Sequence, residues 1–154
     1  MSELDVTIVT LPAMRVAASL GYSETPENDA FTKILAWARP LGLLADMETH
    51  RWFGFNNPNP SPGSPKYGYE VWVSIGEDLK PTGDIKVKSF AGGLYAVARC
   101  VGIPNIGQVW GDLVEWRERS PYHKAHHQWL EEHIGGFDLP EEEIVLDCLL
   151  PIEE

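Results

Sequence analysis

Two stretches of the chain repeat one another, and that repetition restricts the architecture more than any single motif. The run from Phe90 to Gly102, FAGGLYAVARCVG, is echoed earlier by Leu11 to Gly21, LPAMRVAASLG. With Gly21 set on Gly102, Leu20 falls on Val101, Ala17 on Ala98, Val16 on Val97 and Met14 on Tyr95. A second echo follows each copy, because Phe31-x-x-Ile34-Leu35-x-Trp37 and Trp110-x-x-Leu113-Val114-x-Trp116 share one internal spacing. Each copy therefore reads as a strand followed by a helix with an apolar stripe. Self-similarity of this kind fixes architecture before any residue is given a role. Two similar halves are expected, about 1–80 and 81–154, inside a single domain spanning 1–154.

Local signals place the elements. Val6 to Tyr22 is rich in strand formers but broken at Leu11-Pro12-Ala13, since proline cannot donate to a ladder. Thr25-Pro26-Glu27 opens a helix that Thr25 or Ser23 can cap, and Pro40 and Gly42 stop it. His50 to Phe55, Tyr67 to Ile75, Ile85 to Phe90 and Leu94 to Val101 read as strands, with a tight turn at Ala91-Gly92-Gly93. Ile106 to Arg119 reads as the second helix, behind a cap at Asn105. Tyr122 to Ile134 is expected to form a short helix and loop, followed by a break at Gly135-Gly136 and a last strand over Ile144 to Ile152. The run from Asn56 to Gly63 reads as a surface loop, either a plain connector or the rim of a site.

A chain of 154 residues suits one domain without staples. Its two cysteines, Cys100 and Cys148, lack zinc or disulfide spacing and read as buried apolar residues. No apolar run is long enough to cross a membrane and the N-terminus has no export signal, so a soluble cytoplasmic protein is expected. A net charge of -11 repels a phosphate backbone, which argues against direct nucleic-acid binding. The same charge either maintains solubility or favours a cationic partner.

Two strands carry the candidate site. Over Tyr67 to Ile75 the odd positions are apolar, whereas Gly68, Glu70, Trp72 and Ser74 share the other face. Trp72 beside Glu70 reads either as the wall of a ligand pocket or as a ring packed on a loop. On the last strand Ile144, Leu146, Cys148 and Leu150 make the core face, leaving Asp147 between Val145 and Leu149. A carboxylate so flanked is paired internally, protonated, or awaiting a cation. Tyr95 points either into the site or into the core, and Trp110 and Trp116, six apart, need not both face the core.

The run His123-x-x-His126-His127-x-x-x-Glu131-x-His133 lacks the spacing of zinc peptidases and reads as a solvated helix face, so neither metal nor cofactor is expected. Hydrolase elbows, phosphate loops and dinucleotide fingerprints do not occur.

Leu11-Pro12-Ala13-Met14-Arg15-Val16-Ala17, Phe53-Gly54-Phe55-Asn56-Asn57-Pro58, Tyr69-Glu70, Gly92-Gly93-Leu94-Tyr95-Ala96-Val97, Trp110-x-x-Leu113-x-x-Trp116 and Leu149-Leu150-Pro151-Ile152 together resemble the GyrI-like small-molecule-binding domain. The same domain serves as effector-binding module in AraC-type and MerR-type regulators. The resemblance spans nearly the whole chain and implies an α+β fold. In it, two β-α-β-β units are related by a pseudo-twofold axis, an antiparallel sheet packs on two main helices, and a ligand groove lies between the halves. It also implies an acid on the last strand at the floor of an aromatic pocket for bulky, often cationic compounds. Asp147 matches that position, where the family usually has glutamate.

Residues and resemblance together point to Asp147 and Glu70 as counter-charges, with Trp72, Tyr95, Trp110 and Phe55 as aromatic contacts, for a lipophilic, cationic small molecule. A stand-alone effector-binding or drug-sequestering role comes first. A hydrolase of electrophilic cyclopropane compounds, using a pocket carboxylate, comes second. A DNA gyrase inhibitor-like interaction protein comes third.

Overall fold

The computed structural model describes residues 4–47, 49–57, 62–134 and 139–154. Part of the proline-rich loop after Asn57 and the Gly135-Gly136 break fall outside them. The chain runs β1 (Thr7–Leu11), β2 (Met14–Ser23), α1 (Pro26–Ala38), β3 (Trp52–Asn56), β4 (Tyr67–Ser74), β5 (Lys86–Phe90), β6 (Gly93–Val101), α2 (Ile106–Arg119), β7 (His123–Lys124), β8 (Leu130–His133) and β9 (Val145–Glu153). The fold class is α+β, as expected.

The chain divides into two compact units, Met14–Phe90 and Met1–Ala13 together with Ala91–Glu154. In the first, antiparallel pairing runs β3-β4-β2-β5. In the second it runs β8-β9-β6-β1, with β7 added on the end of β9. Strand by strand, β2 corresponds to β6, β4 to β9, β3 to β8 and β5 to β1, while α1 and α2 follow β2 and β6. The duplication thus extends through four sheet positions, and β7 alone has no counterpart among the described strands. The strand that opens the chain serves the second unit, where Thr7 opposes Val97, and β5 takes the matching place in the first, where Phe90 opposes Met14.

Each helix covers one face of its own sheet. In the first unit α1 buries Ala30, Ile34 and Ala38, and the buried Ser19 hydroxyl donates to the Ala30 carbonyl at 2.9 Å. Gly21 permits this contact, because a β-carbon there would come within 2.3 Å of the Pro26 carbonyl oxygen. In the second unit Leu113 of α2 packs on Ala96, Ala98, Cys100, Cys148, Leu150 and Ile152. Both cysteines are buried free thiols, and burial pushes both up.

Three local readings are corrected. Thr25 and Asn105 stand at the helix starts, but neither side chain caps its helix; Ser23 accepts from the Thr25 amide and Asn105 donates back to the Val101 carbonyl. Residues 122–134 contain the strands β7 and β8 in place of a helix, since Leu130 and Glu132 are buried while Glu131 and His133, which alternate with them, are only partly so. His127 and Glu131 are therefore not a helical turn apart. Among the described residues no helix is long and apolar enough to cross a membrane.

Candidate functional site

Opposed residues of an antiparallel pair share a face and successive residues alternate. Glu70 on β4 opposes Leu20 and Phe55, and Trp72 opposes Ala18 and Phe53. Lys86, Lys88 and Phe90 on β5 oppose Ala18, Val16 and Met14. All of these lie on the sheet face away from α1, whose contacts go to Ser19, Gly21 and Tyr69.

Glu70 is the centre of that face. It is 1% exposed, a position that would be costly for an uncompensated charge. Compensation comes from three donors: Asn57 Nδ2 reaches Oε1 at 2.9 Å, while Trp72 Nε1 and Lys88 Nζ reach Oε2 at 2.6 and 2.7 Å. Trp72 is itself fixed in place. Phe55 meets its ring edge-on at a centroid distance of 4.9 Å, and Phe90 lies tilted at 5.4 Å. A cleft of about 240 Å³ opens beside the carboxylate, lined by Ala18, Leu20, Lys33, Glu70, Asp84, Lys86 and Lys88. The lining thus holds three lysines, two acids and two aliphatic residues, with the buried rings of Trp72, Phe55 and Phe90 packed behind the carboxylate.

The remaining expected site residues stand on the second unit. Asp147 lies on the face of the second sheet away from α2, opposite Arg99 and Glu132. It is paired internally: Arg99 Nε and Nη2 donate to its two oxygens at 2.9 and 3.2 Å, and this pairing raises the Arg99 guanidinium further. Tyr95 is fully buried, donates its hydroxyl to the Gln128 carbonyl, and meets His127 edge-on at 4.8 Å. Burial pushes its phenol well above the ordinary range. Trp110 sits on the helix-covered side, against the core, with its Nε1 donating to Glu131 at 3.0 Å and its ring 5.3 Å from Trp129. Glu70, Trp72 and Phe55 are thus brought together, whereas Asp147, Tyr95 and Trp110 belong to the second unit and Trp110 to its other face.

Sequence reasoning missed Asn57, Lys88 and Phe90. The available signal was the alternation Lys86-x-Lys88-x-Phe90, which puts two cations and a ring on one face of β5. In the histidine run, His127 Nε2 stands 2.8 Å from the Leu94 carbonyl oxygen, and its ring packs where a side chain at Gly93 would go. Among the described residues no three or more His, Cys, Asp or Glu side chains are grouped to hold a metal.

The family model of the Cass2 integron-associated effector binding protein matches residues 7–152, and the chain belongs to that family. No curated protein matches the chain. Among solved structures it is similar to a hydrolase encoded by lin2189 from Listeria innocua, at 10% identity and a TM-score of 0.71, covering 98% of this chain and 93% of that one. It is similar also to the EcmrR C-terminal domain, at 13% identity and a TM-score of 0.70, covering 98% of both chains. A third likeness is to SAV2435 bound to tetraphenylphosphonium, at 14% identity and a TM-score of 0.57, covering 97% of this chain and 94% of that one. These likenesses show a common fold, and with the family match they bear out the GyrI-like resemblance.

Proposed function

We propose that the chain binds a lipophilic, cationic small molecule on the face of its first unit turned away from α1, with Glu70 as counter-charge and Trp72, Phe55 and Phe90 as aromatic contacts. One observation carries the reading: a fully buried carboxylate bonded to a tryptophan that two phenylalanines hold in place. A cation over such a ring gains about 2 kcal/mol when desolvated. That SAV2435 was solved with tetraphenylphosphonium supports a ligand of this class. Asp147 is left out of the contact set because it stands on the second unit, whereas Trp72, Phe55 and Phe90 stand on the first. Hydrolysis ranks below binding, since both Glu70 oxygens already accept hydrogen bonds from side chains.

The test is a calorimetric titration of wild type and Glu70→Gln with tetraphenylphosphonium and with neutral triphenylphosphine oxide. Wild type is expected to prefer the cation, and Glu70→Gln to lose most of that preference. Equal affinity of wild type for both compounds would overturn the reading.

A further inference from the structure

Lys88 already occupies the cation position that the proposed ligand would take. We infer that its ammonium is a tethered competitor, which a ligand must displace from Glu70, and that this exchange makes the site selective for cations. The inference rests on the binding role proposed for Glu70 and adds how that site is guarded.

The three donors to Glu70 are not equivalent. Trp72 is clasped between Phe55 and Phe90 and cannot leave without disrupting buried rings. Asn57 directly follows β3. Lys88 stands on β5, an edge strand of five residues in which the first four are exposed, and its side chain is 48% exposed against 2% for Glu70. A long side chain so placed has open solvent to swing into. Lys88 and Glu70 both line the cleft, so the movement that breaks their contact also widens the approach to the carboxylate.

Electrostatics then sets the selectivity. If Lys88 departs alone, Glu70 is left as a buried anion with two neutral donors, which is unfavourable. A neutral guest cannot offset that loss, so it leaves the lysine seated. A lipophilic cation replaces the lost positive charge. The lysine therefore does two things: it neutralises Glu70 while the site is empty and it penalises every guest without charge. Its occupancy acts as a tax on apparent affinity, because only the fraction of molecules with the lysine displaced is competent to bind.

The experiment compares wild type, Lys88→Met and Lys88→Arg for tetraphenylphosphonium and triphenylphosphine oxide at pH 8, with thermal unfolding to verify the fold of each variant. If the lysine is seated about nine-tenths of the time, Lys88→Met binds tetraphenylphosphonium roughly tenfold more tightly. Lys88→Arg, which keeps the charge and adds a second donor, binds it no better than wild type. In the double variant Lys88→Met/Glu70→Gln the gain disappears. Should wild type bind the cation through Glu70 while Lys88→Met binds it equally or more weakly, the competitor role is wrong and the binding site stands. If neither wild type nor any lysine variant binds it, both fall together.

Discussion

Trp72 and Asp147 hold the same place in the two units: Trp72 opposes Ala18, Asp147 opposes Arg99, and Ala18 and Arg99 each stand three residues before the glycine that closes the repeat. Their second neighbours also correspond, Phe53 opposing Trp72 and Glu132 opposing Asp147. One backbone plan thus carries an alanine, a tryptophan and a phenylalanine in one copy and an arginine and two acids in the other. The counterpart of Glu70, which opposes Leu20, is Val145, which opposes Val101. The units share a scaffold but have diverged in the face each turns away from its helix, one towards aromatics around Glu70, the other towards an ion cluster.

That divergence predicts unequal consequences for removing the two acids. Arg99 is 57% exposed and Asp147 16%, so their pair is largely screened. Asp147→Ala is expected to lower stability by no more than about 1 kcal/mol and to change tetraphenylphosphonium affinity less than about twofold. Glu70→Ala leaves the Trp72 and Asn57 donors without an acceptor and should cost about 2–4 kcal/mol. Urea unfolding and calorimetry of the two variants side by side check this. An Asp147→Ala variant that loses binding while Glu70→Ala keeps it would reverse the assignment.

Trp72→Phe separates the aromatic contribution from the charge. The variant keeps a ring between Phe55 and Phe90 but withdraws one donor from Glu70. Stability is expected to fall by about 1–2 kcal/mol and cation affinity by about tenfold, since cation-π strength is greatest over tryptophan. Trp72 is one of six tryptophans. The difference in emission between wild type and variant on titration should therefore carry the ligand response, and quenching that survives in Trp72→Phe would place the ligand elsewhere.

The sequence made the strands legible because alternation over eight or nine residues, as in β4 and β9, leaves little choice of face. It also made the neighbours Glu70 and Trp72 legible, since residues two apart on a strand share a side. Pairing across the sheet was not legible. Lys88 reaches Glu70 across β2, and Arg99 reaches Asp147 from the adjacent β6, so both ion pairs depend on register, which local pattern does not determine. For the same reason β1 gave no sign that it serves the second unit. The four-residue β8 is too short for period two to be told from a helical turn, and that ambiguity hid it.

Two glycine substitutions should move stability in opposite directions. At Gly21 a β-carbon would meet the Pro26 carbonyl oxygen at 2.3 Å and the Ala30 amide nitrogen at 2.9 Å, both backbone atoms of the start of α1. Gly21→Ala must push helix from sheet and is expected to cost about 2–3 kcal/mol. Gly111 lies inside α2, is exposed, and a β-carbon there has nothing within 4 Å. Gly111→Ala is expected to add about 0.5–1 kcal/mol through backbone entropy and helix propensity. Thermal unfolding of both variants gives the signs directly.

The pH dependence of stability should reveal His133. Burial lowers its pKa to about 4 from an ordinary 6.5, so the folded state resists the proton that the unfolded chain accepts. Between those two values the unfolded state binds more protons, and stability therefore rises with pH across this window. Acidification from about 6.5 towards 4 withdraws stability, with a limiting slope for this one group of about 1.4 kcal/mol per pH unit. Above 6.5 the imidazole is neutral in both states and contributes no slope. Carboxylates titrate at the acid end of the same range, so the comparison is made between pH 7 and 5, where the histidine dominates. In urea unfolding over that interval His133→Gln should lose less stability than wild type. A variant whose stability falls in parallel with wild type would show that the ring at 133 is protonated as readily in the folded protein as in the unfolded chain.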